Sequence, residues 1–190
     1  MDYFFNQPRQ VVDQVLGSLG MLAPVSAAEV SSGVRILARA EGTAHPVAVM
    51  SGGGAGHEPS HAGFVGAGML SAAISGEIFA SPSVAAVLAA IRHCGGKGGT
   101  LLVVKNYTGD RLNFGLAAEQ ARGEGLAVRL IIVADDIALP HAPQPRGIAG
   151  TVLVHKYAGH LAAQGLGLDE VAERSAAFAG KLMTLGLALS

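Results

Sequence analysis

The feature that most constrains the fold is a glycine-rich segment that directly follows a short apolar run. Residues 46–50 read PVAVM, and residues 51–61 read SGGGAGHEPSH. The apolar run predicts a buried strand. Four glycines within five positions predict a loop whose backbone turns sharply and approaches a ligand closely. Polar side chains follow at once, and open α/β sheets carry their binding sites in loops at the carboxyl ends of strands.

Further along the chain, predicted strands alternate with predicted helices. Apolar runs predict strands at 100–104 and 128–133. A shorter strand is expected at 34–37, and a short strand followed by a turn at 76–82. Apolar residues at helical spacing predict helices at about 8–19, 83–94, 111–122, 148–163 and 168–185, with a short helix beginning near 59. In the helix at 111–122, the residues expected to face inward are Leu112, Phe114, Leu116 and Ala117. This alternation favours an α/β fold with a layered, largely parallel sheet and helices on both faces. No repeat or internal linker divides residues 1–190, which are expected to form one domain.

Composition excludes several classes of protein. Half of the 190 residues are hydrophobic, which is enough for a sizeable core, and 27 glycines favour close helix–sheet packing. The formal net charge of -1 leaves no basic face for nucleic acid. Cys94 is the single cysteine and is expected to be a buried, inert thiol in a reducing cytoplasmic compartment. No secretory signal and no apolar run of membrane-spanning length is present, so no membrane association is expected.

The glycine-rich segment allows three other interpretations. Residues 57–61 match the H-E-x-x-H pattern of zinc peptidases, but Pro59 disfavours the single helix that would aim His57 and His61 at one metal. A loop that binds nucleotide phosphates is the second interpretation. The segment does not match the P-loop, because no Gly-Lys-Ser/Thr follows, and it does not match G-x-G-x-x-G, because Pro59 occupies the third glycine position. A tight turn without a ligand remains the third alternative.

Two later strands also end in polar residues. Lys105 and Asp110 follow the strand at 100–104, and in a parallel sheet they would meet His57 at one edge. Such a trio suits a small polyhydroxylated or carbonyl ligand, although Asp110 could equally be a helix N-cap. Asp135 and Asp136 end the strand at 128–133, where they could bind Mg²⁺ but more simply form a solvated, capping turn.

Taken together, the motifs resemble those of a known family. They are SGGGAGHEP at 51–59, GEIFASP at 76–82, KNYTGD at 105–110 with Asn113-Phe114, Asp135-Asp136, and RGIAGTVLVHK at 146–156. They occur in the family's order along nearly the full length of the chain. The chain resembles the substrate-binding subunit or domain of the dihydroxyacetone (glycerone) kinases.

The resemblance implies an α/β domain that binds dihydroxyacetone, or a similar short ketose, for phosphorylation. The substrate-binding positions that it implies are Gly54, Ala55, Gly56, His57, Lys105 and Asp110. His57 and Asp110 are the implied catalytic residues, with His57 favoured as the general base on the hydroxyl to be phosphorylated. Lys105 would orient a substrate oxygen. The exact ketose stays open, because related kinases accept four-carbon ketoses or glyceraldehyde.

The resemblance also implies partners. No cofactor or metal is expected on this chain: ATP, or a bound ADP that is rephosphorylated by a phosphotransferase relay, would sit with Mg²⁺ on a separate helical domain or subunit. A homodimer is expected. The family's unit is longer than this chain and has a second α/β domain, whose histidine bonds covalently to the substrate carbonyl. Residues 1–190 therefore correspond to the N-terminal portion, and a non-catalytic ketose sensor or a truncated inactive homologue is the alternative.

Overall fold

A computed structural model describes residues 6–22, 25–28, 34–41, 45–138 and 141–187. Besides two short 3₁₀ helices at Pro8–Gln10 and Ala62–Phe64, five α-helices and six β-strands are assigned in these ranges. In chain order they are α1 (Val11–Leu22), β1 (Val25–Ala28), β2 (Arg35–Arg39), β3 (Val47–Ala55), β4 (Ala72–Ile78), α2 (Val84–Cys94), β5 (Gly99–Lys105), α3 (Thr108–Gly123), β6 (Val128–Val133), α4 (Gly150–Ala163) and α5 (Leu168–Ala179).

The strands form one sheet in the order β1-β2-β4-β3-β5-β6. Strands β4, β3, β5 and β6 run parallel to their neighbours, whereas β1 and β2 are added antiparallel at one edge. The register places Met50 of β3 beside both Ala72 of β4 and Leu102 of β5. The largely parallel α/β sheet that the sequence predicts is confirmed, with the antiparallel pair as an addition.

The sheet has a hydrophobic core on each face, because successive side chains of a strand point to opposite sides. Val47 and Val49 contribute to the core under α1, α4 and α5. Ala48 and Met50 contribute to the core under α2 and α3. Full burial of a valine or methionine side chain contributes about 1.5–3 kcal/mol. Because alternate side chains of the same strand enter the two cores, such a strand holds helices on both faces of the sheet. Helices on both faces are thus confirmed.

The glycine-rich segment is part of a strand and not a loop, which corrects the sequence prediction. Strand β3 continues to Ala55, and the turn begins at Gly56, where φ is +97°. A Cβ on Gly52 would lie 2.3 Å from the backbone oxygen of Ile74. A Cβ on Gly54 would lie 2.7 Å from the backbone nitrogen of Ala80. Gly52 and Gly54 therefore allow neighbouring segments of backbone to approach β3 closely. They do not form a sharp turn.

Helix α3 begins earlier than predicted. Its N-cap is Tyr107, so Asp110 lies within the first turn and is not the N-cap. Leu112 and Leu116, predicted to face the core, are 66% and 52% exposed, whereas Phe114 is fully buried. The helical period explains the difference, because residues 110, 114, 117, 118 and 121 occupy one buried face and positions 112 and 116 lie on the other side.

Other boundaries also differ from the predictions. The short helix expected from residue 59 is reduced to a 3₁₀ turn at Ala62–Phe64. Strand β4 begins at Ala72, earlier than residue 76, and α5 ends at Ala179, before residue 185. Alanine and serine at the start of β4 have weak strand propensity, and for that reason the apolar pattern did not reveal them. Among the described residues, no helix combines the length and apolar character needed to cross a membrane.

Asp135 ties α4 to the end of β6. It is 1% exposed, and its carboxylate accepts hydrogen bonds from the backbone N–H groups of Ile148 and Gly150, each at 2.8 Å. The hydroxyl of Thr184 donates to the same carboxylate. The neighbouring Asp136 accepts from Ala138 N–H at 2.9 Å and pairs with Arg146 at 2.7 Å. The capping role predicted for these aspartates is confirmed, but both side chains are buried rather than solvated.

We expect Asp135→Ala to lower the free energy of unfolding by about 2–4 kcal/mol, because it leaves buried N–H groups without an acceptor. Urea denaturation of the parent and the variant measures the difference. The matched control is Asp169→Ala, which removes an exposed carboxylate paired with Arg129 and should change stability by less than about 1 kcal/mol. Equal effects of the two substitutions would contradict the role assigned to Asp135.

Candidate functional site

A cleft of about 230 Å³ opens at the carboxyl edge of the parallel strands. It is lined by residues at the carboxyl ends of β3 and β5 and in the segments that follow β3, β4 and β5, namely Gly54, His57, Phe79, Ser81, Lys105, Tyr107, Gly109 and Asp110. The structure thus brings His57, Lys105 and Asp110 to one cavity, as parallel strand ends require. Ala55 and Gly56 do not line the cleft: Ala55 is buried in the core and Gly56 is exposed at the turn.

The segment after β4 forms one wall of the cleft. Because Gly54 has no side chain, the backbone of residues 79–80 crosses close to β3. Phe79 has φ of 56°, which is rare for a bulky residue. Its ring is 5.2 Å from that of His57, measured between centroids, and a Cβ on Gly56 would touch it at 2.8 Å. Gly54 and Gly56 therefore hold an aromatic wall beside the imidazole of His57.

Burial shifts both charged groups of the cleft toward their neutral forms. Burial lowers the pKa of Lys105, and the carboxylates of Asp110 and Asp135 oppose part of that shift. Burial raises the pKa of Asp110, and the Ser81 side chain, Lys105 and His57 oppose it. A cation and a carboxylate held where water is partly excluded interact strongly with a polar ligand.

The end of β5, with Lys105 and the following Asn106, is held by residues far away in sequence. The side-chain amide of Asn106 donates to the backbone oxygen of Pro145 at 2.8 Å, and the side-chain amide of Gln144 donates to the backbone oxygen of Asn106 at 2.9 Å. A Cβ on Gly147 would lie 2.9 Å from Cβ of Lys105. Three prolines among residues 140–147 predict a loop there, but the support that this loop gives to Asn106 and Lys105 depends on tertiary contacts and was not predicted.

Two histidines form a buried pair beneath the cleft. Nδ1 of His61 lies 3.0 Å from Nε2 of His155, and the two residues are 5% and 0% exposed. Burial lowers the pKa of His61, as do His155, Lys105 and His57 nearby. Burial, with a smaller effect of Lys105, lowers the pKa of His155 to about 3. Both imidazoles are therefore neutral at neutral pH.

This pair was not predicted. His155 had no recognisable partner in the sequence, although its spacing from Val154 and Ala158 on α4 placed it near a buried helical face. The zinc interpretation needs His57 and His61 to face one ion, but His57 is exposed beside Phe79 whereas His61 is buried beside His155. In the part of the chain that the structure describes, no group of three or more His, Cys, Asp or Glu side chains is placed to hold a metal ion.

Cys94 lies at the end of α2, away from the residues that line the cleft. Its side chain is partly buried, and burial raises the pKa of the thiol. A raised thiol pKa lowers the thiolate fraction and hence the reactivity. The expectation of an inert thiol agrees with this environment.

Known proteins are similar to this chain in sequence and in fold. The family model of the Dak1 domain matches residues 20–190. A dihydroxyacetone kinase of Citrobacter freundii is 51% identical over 191 residues, which cover 99% of this chain and 35% of that protein. The dihydroxyacetone-binding subunit DhaK of a PTS-dependent dihydroxyacetone kinase of Lactococcus lactis is 44% identical over 188 residues, 97% of this chain and 56% of the subunit.

Solved structures agree with the sequence comparison. The crystal structure of the C. freundii kinase superposes with a TM-score of 0.90 at 51% identity, over 94% of this chain and 33% of that one. A dihydroxyacetone kinase operon co-activator, Dha-DhaQ, superposes with a TM-score of 0.81 at 34% identity, over 86% of this chain and 51% of that one.

The chain spans about a third of the Citrobacter kinase and just over half of the Lactococcus subunit. The match to the family model extends over residues 20–190, and the superposed kinase structure covers 94% of the chain. The chain therefore belongs to the Dak1 domain family.

Proposed function

We propose that this chain binds dihydroxyacetone, or a similar short ketose, as the substrate-binding part of a dihydroxyacetone kinase. The observation that carries the proposal is the convergence of His57, Lys105 and Asp110 in one small cleft. At about 230 Å³ the cleft is smaller than the roughly 300–1,000 Å³ of pockets for drug-sized ligands. Its size suits a three- or four-carbon sugar, and its polar groups suit hydroxyl and carbonyl oxygens.

Each polar residue has a distinct proposed role. Lys105 is a cation that donates hydrogen bonds to a substrate oxygen. Asp110 lies deeper in the cleft and accepts a hydrogen bond from a substrate hydroxyl. His57 is exposed at the turn after β3, on the solvent side of the cleft. It is the general base, since it can take the proton of the outer hydroxyl as that oxygen attacks the phosphoryl group.

Gly54, Ala55 and Gly56 complete the proposed binding segment. Gly54 lets the backbone of β3 reach the ligand, and Ala55 anchors the end of the strand in the core. Gly56 provides the turn of positive φ that presents His57 to the cleft. Positioning of this kind is the main contribution that a substrate-binding domain makes to a transfer reaction.

The phosphoryl donor belongs to another part of the enzyme in this proposal. The C. freundii kinase has been solved in complex with AMP-PNP and Mg²⁺. We infer that the donor is ATP, or a bound ADP that a phosphotransferase relay rephosphorylates, held with Mg²⁺ on a separate helical domain or subunit. Residues 1–190 would form the N-terminal portion of the substrate-binding unit. We further propose a homodimer that works in the cytoplasm, without nucleic acid or membrane.

A ketose sensor is the second candidate function. The Dha-DhaQ co-activator shares the fold at 34% identity, so this domain also occurs in a protein whose name describes regulation. Binding alone does not separate the two candidates. Phosphorylation of dihydroxyacetone when the nucleotide-binding subunit of the Lactococcus system is supplied would favour the kinase, whereas binding without turnover would favour the sensor.

We expect His57→Ala to weaken the binding of dihydroxyacetone to the full chain by at least about tenfold, which corresponds to about 1.4 kcal/mol. The variant loses a hydrogen-bonding group at the mouth of the cleft. Isothermal titration calorimetry measures the change. His93→Ala is the matched control, because His93 is an exposed histidine of α2 that does not line the cleft. Equal affinity of the parent and both variants would contradict the proposed site.

We expect Asp110→Asn to weaken ligand binding while raising stability at neutral pH. The raised pKa of Asp110 means that folding disfavours its ionised form. The parent therefore loses stability as the pH rises through the folded-state pKa, and the Asn variant does not. The stability difference should vanish below the ordinary pKa of 3.8.

Chemical denaturation of parent and variant between about pH 3.5 and 7 tests this expectation. A variant that is less stable than the parent across the whole range would show that Asp110 is a structural residue. Ligand affinity that is unchanged in the variant would remove Asp110 from the site.

A further inference from the structure

The buried His61 has one ring nitrogen without a partner. Its Nδ1 lies 3.0 Å from His155 and 3.4 Å from the hydroxyl of Ser51. Its Nε2 is buried and forms no hydrogen bond with any described residue. Leaving a buried polar atom unsatisfied costs about 1–3 kcal/mol, so such an atom needs an explanation.

Gly53 lies beside both Nε2 of His61 and the carboxylate of Asp110. A Cβ on Gly53 would lie 3.6 Å from Nε2 of His61 and 3.7 Å from Oδ2 of Asp110, and no atom would be closer. The space beside Gly53, in the direction in which a side chain would point, is thus flanked by an imidazole nitrogen and a carboxylate oxygen. Asp110 also lines the cleft, so this space adjoins the ligand cavity.

We propose that His61, Asp110 and the bare backbone of Gly53 form a position for one hydroxyl oxygen at the floor of the cleft. His61 Nε2–H donates to that oxygen, and the hydroxyl donates its own proton to Asp110. A ligand hydroxyl supplies the oxygen when the cleft is occupied, and a water molecule supplies it when the cleft is empty. The inference deepens the proposed function and rests on it for the identity of the ligand.

This arrangement requires one tautomer of the histidine pair. A carboxylate only accepts hydrogen bonds, so a hydroxyl that donates to Asp110 must receive its hydrogen bond from Nε2–H of His61. Nδ1 of His61 then accepts from Nε2–H of His155, across the 3.0 Å contact. Ser51 does not compete, because its hydroxyl donates to the backbone oxygen of Val103 at 2.6 Å. His155 is therefore a positioning residue that keeps the proton of His61 on the nitrogen facing the cleft.

Gly53 makes the proposal testable without damage to the fold. Added side chains at Gly52 and Gly54 would collide with backbone at 2.3 Å and 2.7 Å. At Gly53 the nearest atoms lie at ordinary contact distances, and its φ is not among the positive values. Gly53→Ala should therefore fold normally and place a methyl group in the space, flanked by His61 Nε2 and Asp110 Oδ2, that the oxygen needs.

The first experiment measures dihydroxyacetone affinity by calorimetry in the full chain and in Gly53→Ala. We expect at least tenfold weaker binding with a melting temperature that is not reduced. Gly115→Ala is the matched control, since a Cβ there meets no atom within 4 Å and the residue lies on the same helix as Asp110. Unchanged affinity in Gly53→Ala, when the parent binds, would overturn the inference.

The second experiment does not depend on ligand binding. Imidazole ¹⁵N spectra of the unliganded full chain report the tautomer and the hydrogen bonding of His61. We expect a proton on Nε2 and a resonance that moves in Gly53→Ala but not in Gly115→Ala, because the methyl group displaces the oxygen partner. A proton on Nδ1, or an Nε2 resonance that is the same in all three proteins, would overturn the inference.

The two experiments separate failure of the inference from failure of the proposed function. If the parent does not bind dihydroxyacetone, ketose binding by this chain is contradicted, and the histidine spectrum alone decides the hydroxyl position. If the parent binds and neither the affinity nor the spectrum responds to Gly53→Ala, the cleft is a ketose site in which His61 takes no part.

Discussion

The site depends on the close approach of backbone segments along β3. Side chains at Gly52 and Gly54 would collide with the backbone of β4 and of residues 79–80. Their absence lets the chain after β4 cross the end of β3 and bring Phe79 and Ser81 into the cleft. The same approach places the turn at Gly56, and with it His57, against the aromatic wall. The requirement for residues without side chains at Gly52 and Gly54 thus sets the geometry in which the polar groups meet.

Burial then determines the electrostatic character of the cleft. Lys105 ends β5 and is partly buried, whereas Asp110 lies in the first turn of α3 and is only 6% exposed. Their pKa values shift toward the neutral forms for this reason. The preorganised charges lower stability but interact strongly with a small polar ligand. Asp135 supports the arrangement from outside the cleft by capping α4.

The sequence predicted the sheet and the convergence of His57, Lys105 and Asp110, because both depend on local apolar runs and on the rule for parallel strand ends. The predictions from sequence were wrong or incomplete where contacts between distant segments determine the structure. The glycines of β3 looked like a loop because their role is contact with β4, which no local pattern encodes. The His61–His155 pair joins residues 94 positions apart, and the support of Asn106 by Pro145 is equally non-local. Leu112 and Leu116 were misplaced because residues two positions from the buried Phe114 lie on the opposite side of a helix.

The central claim is that a short ketose occupies the cleft between His57, Lys105 and Asp110. A crystal structure of the full chain with dihydroxyacetone tests it most directly. The account predicts density for the ligand in this cleft, with its oxygens within hydrogen-bonding distance of the Lys105 ammonium and the Asp110 carboxylate and with His57 beside an outer hydroxyl. Ligand density elsewhere on the protein, with the three side chains making no contact to it, would contradict the account.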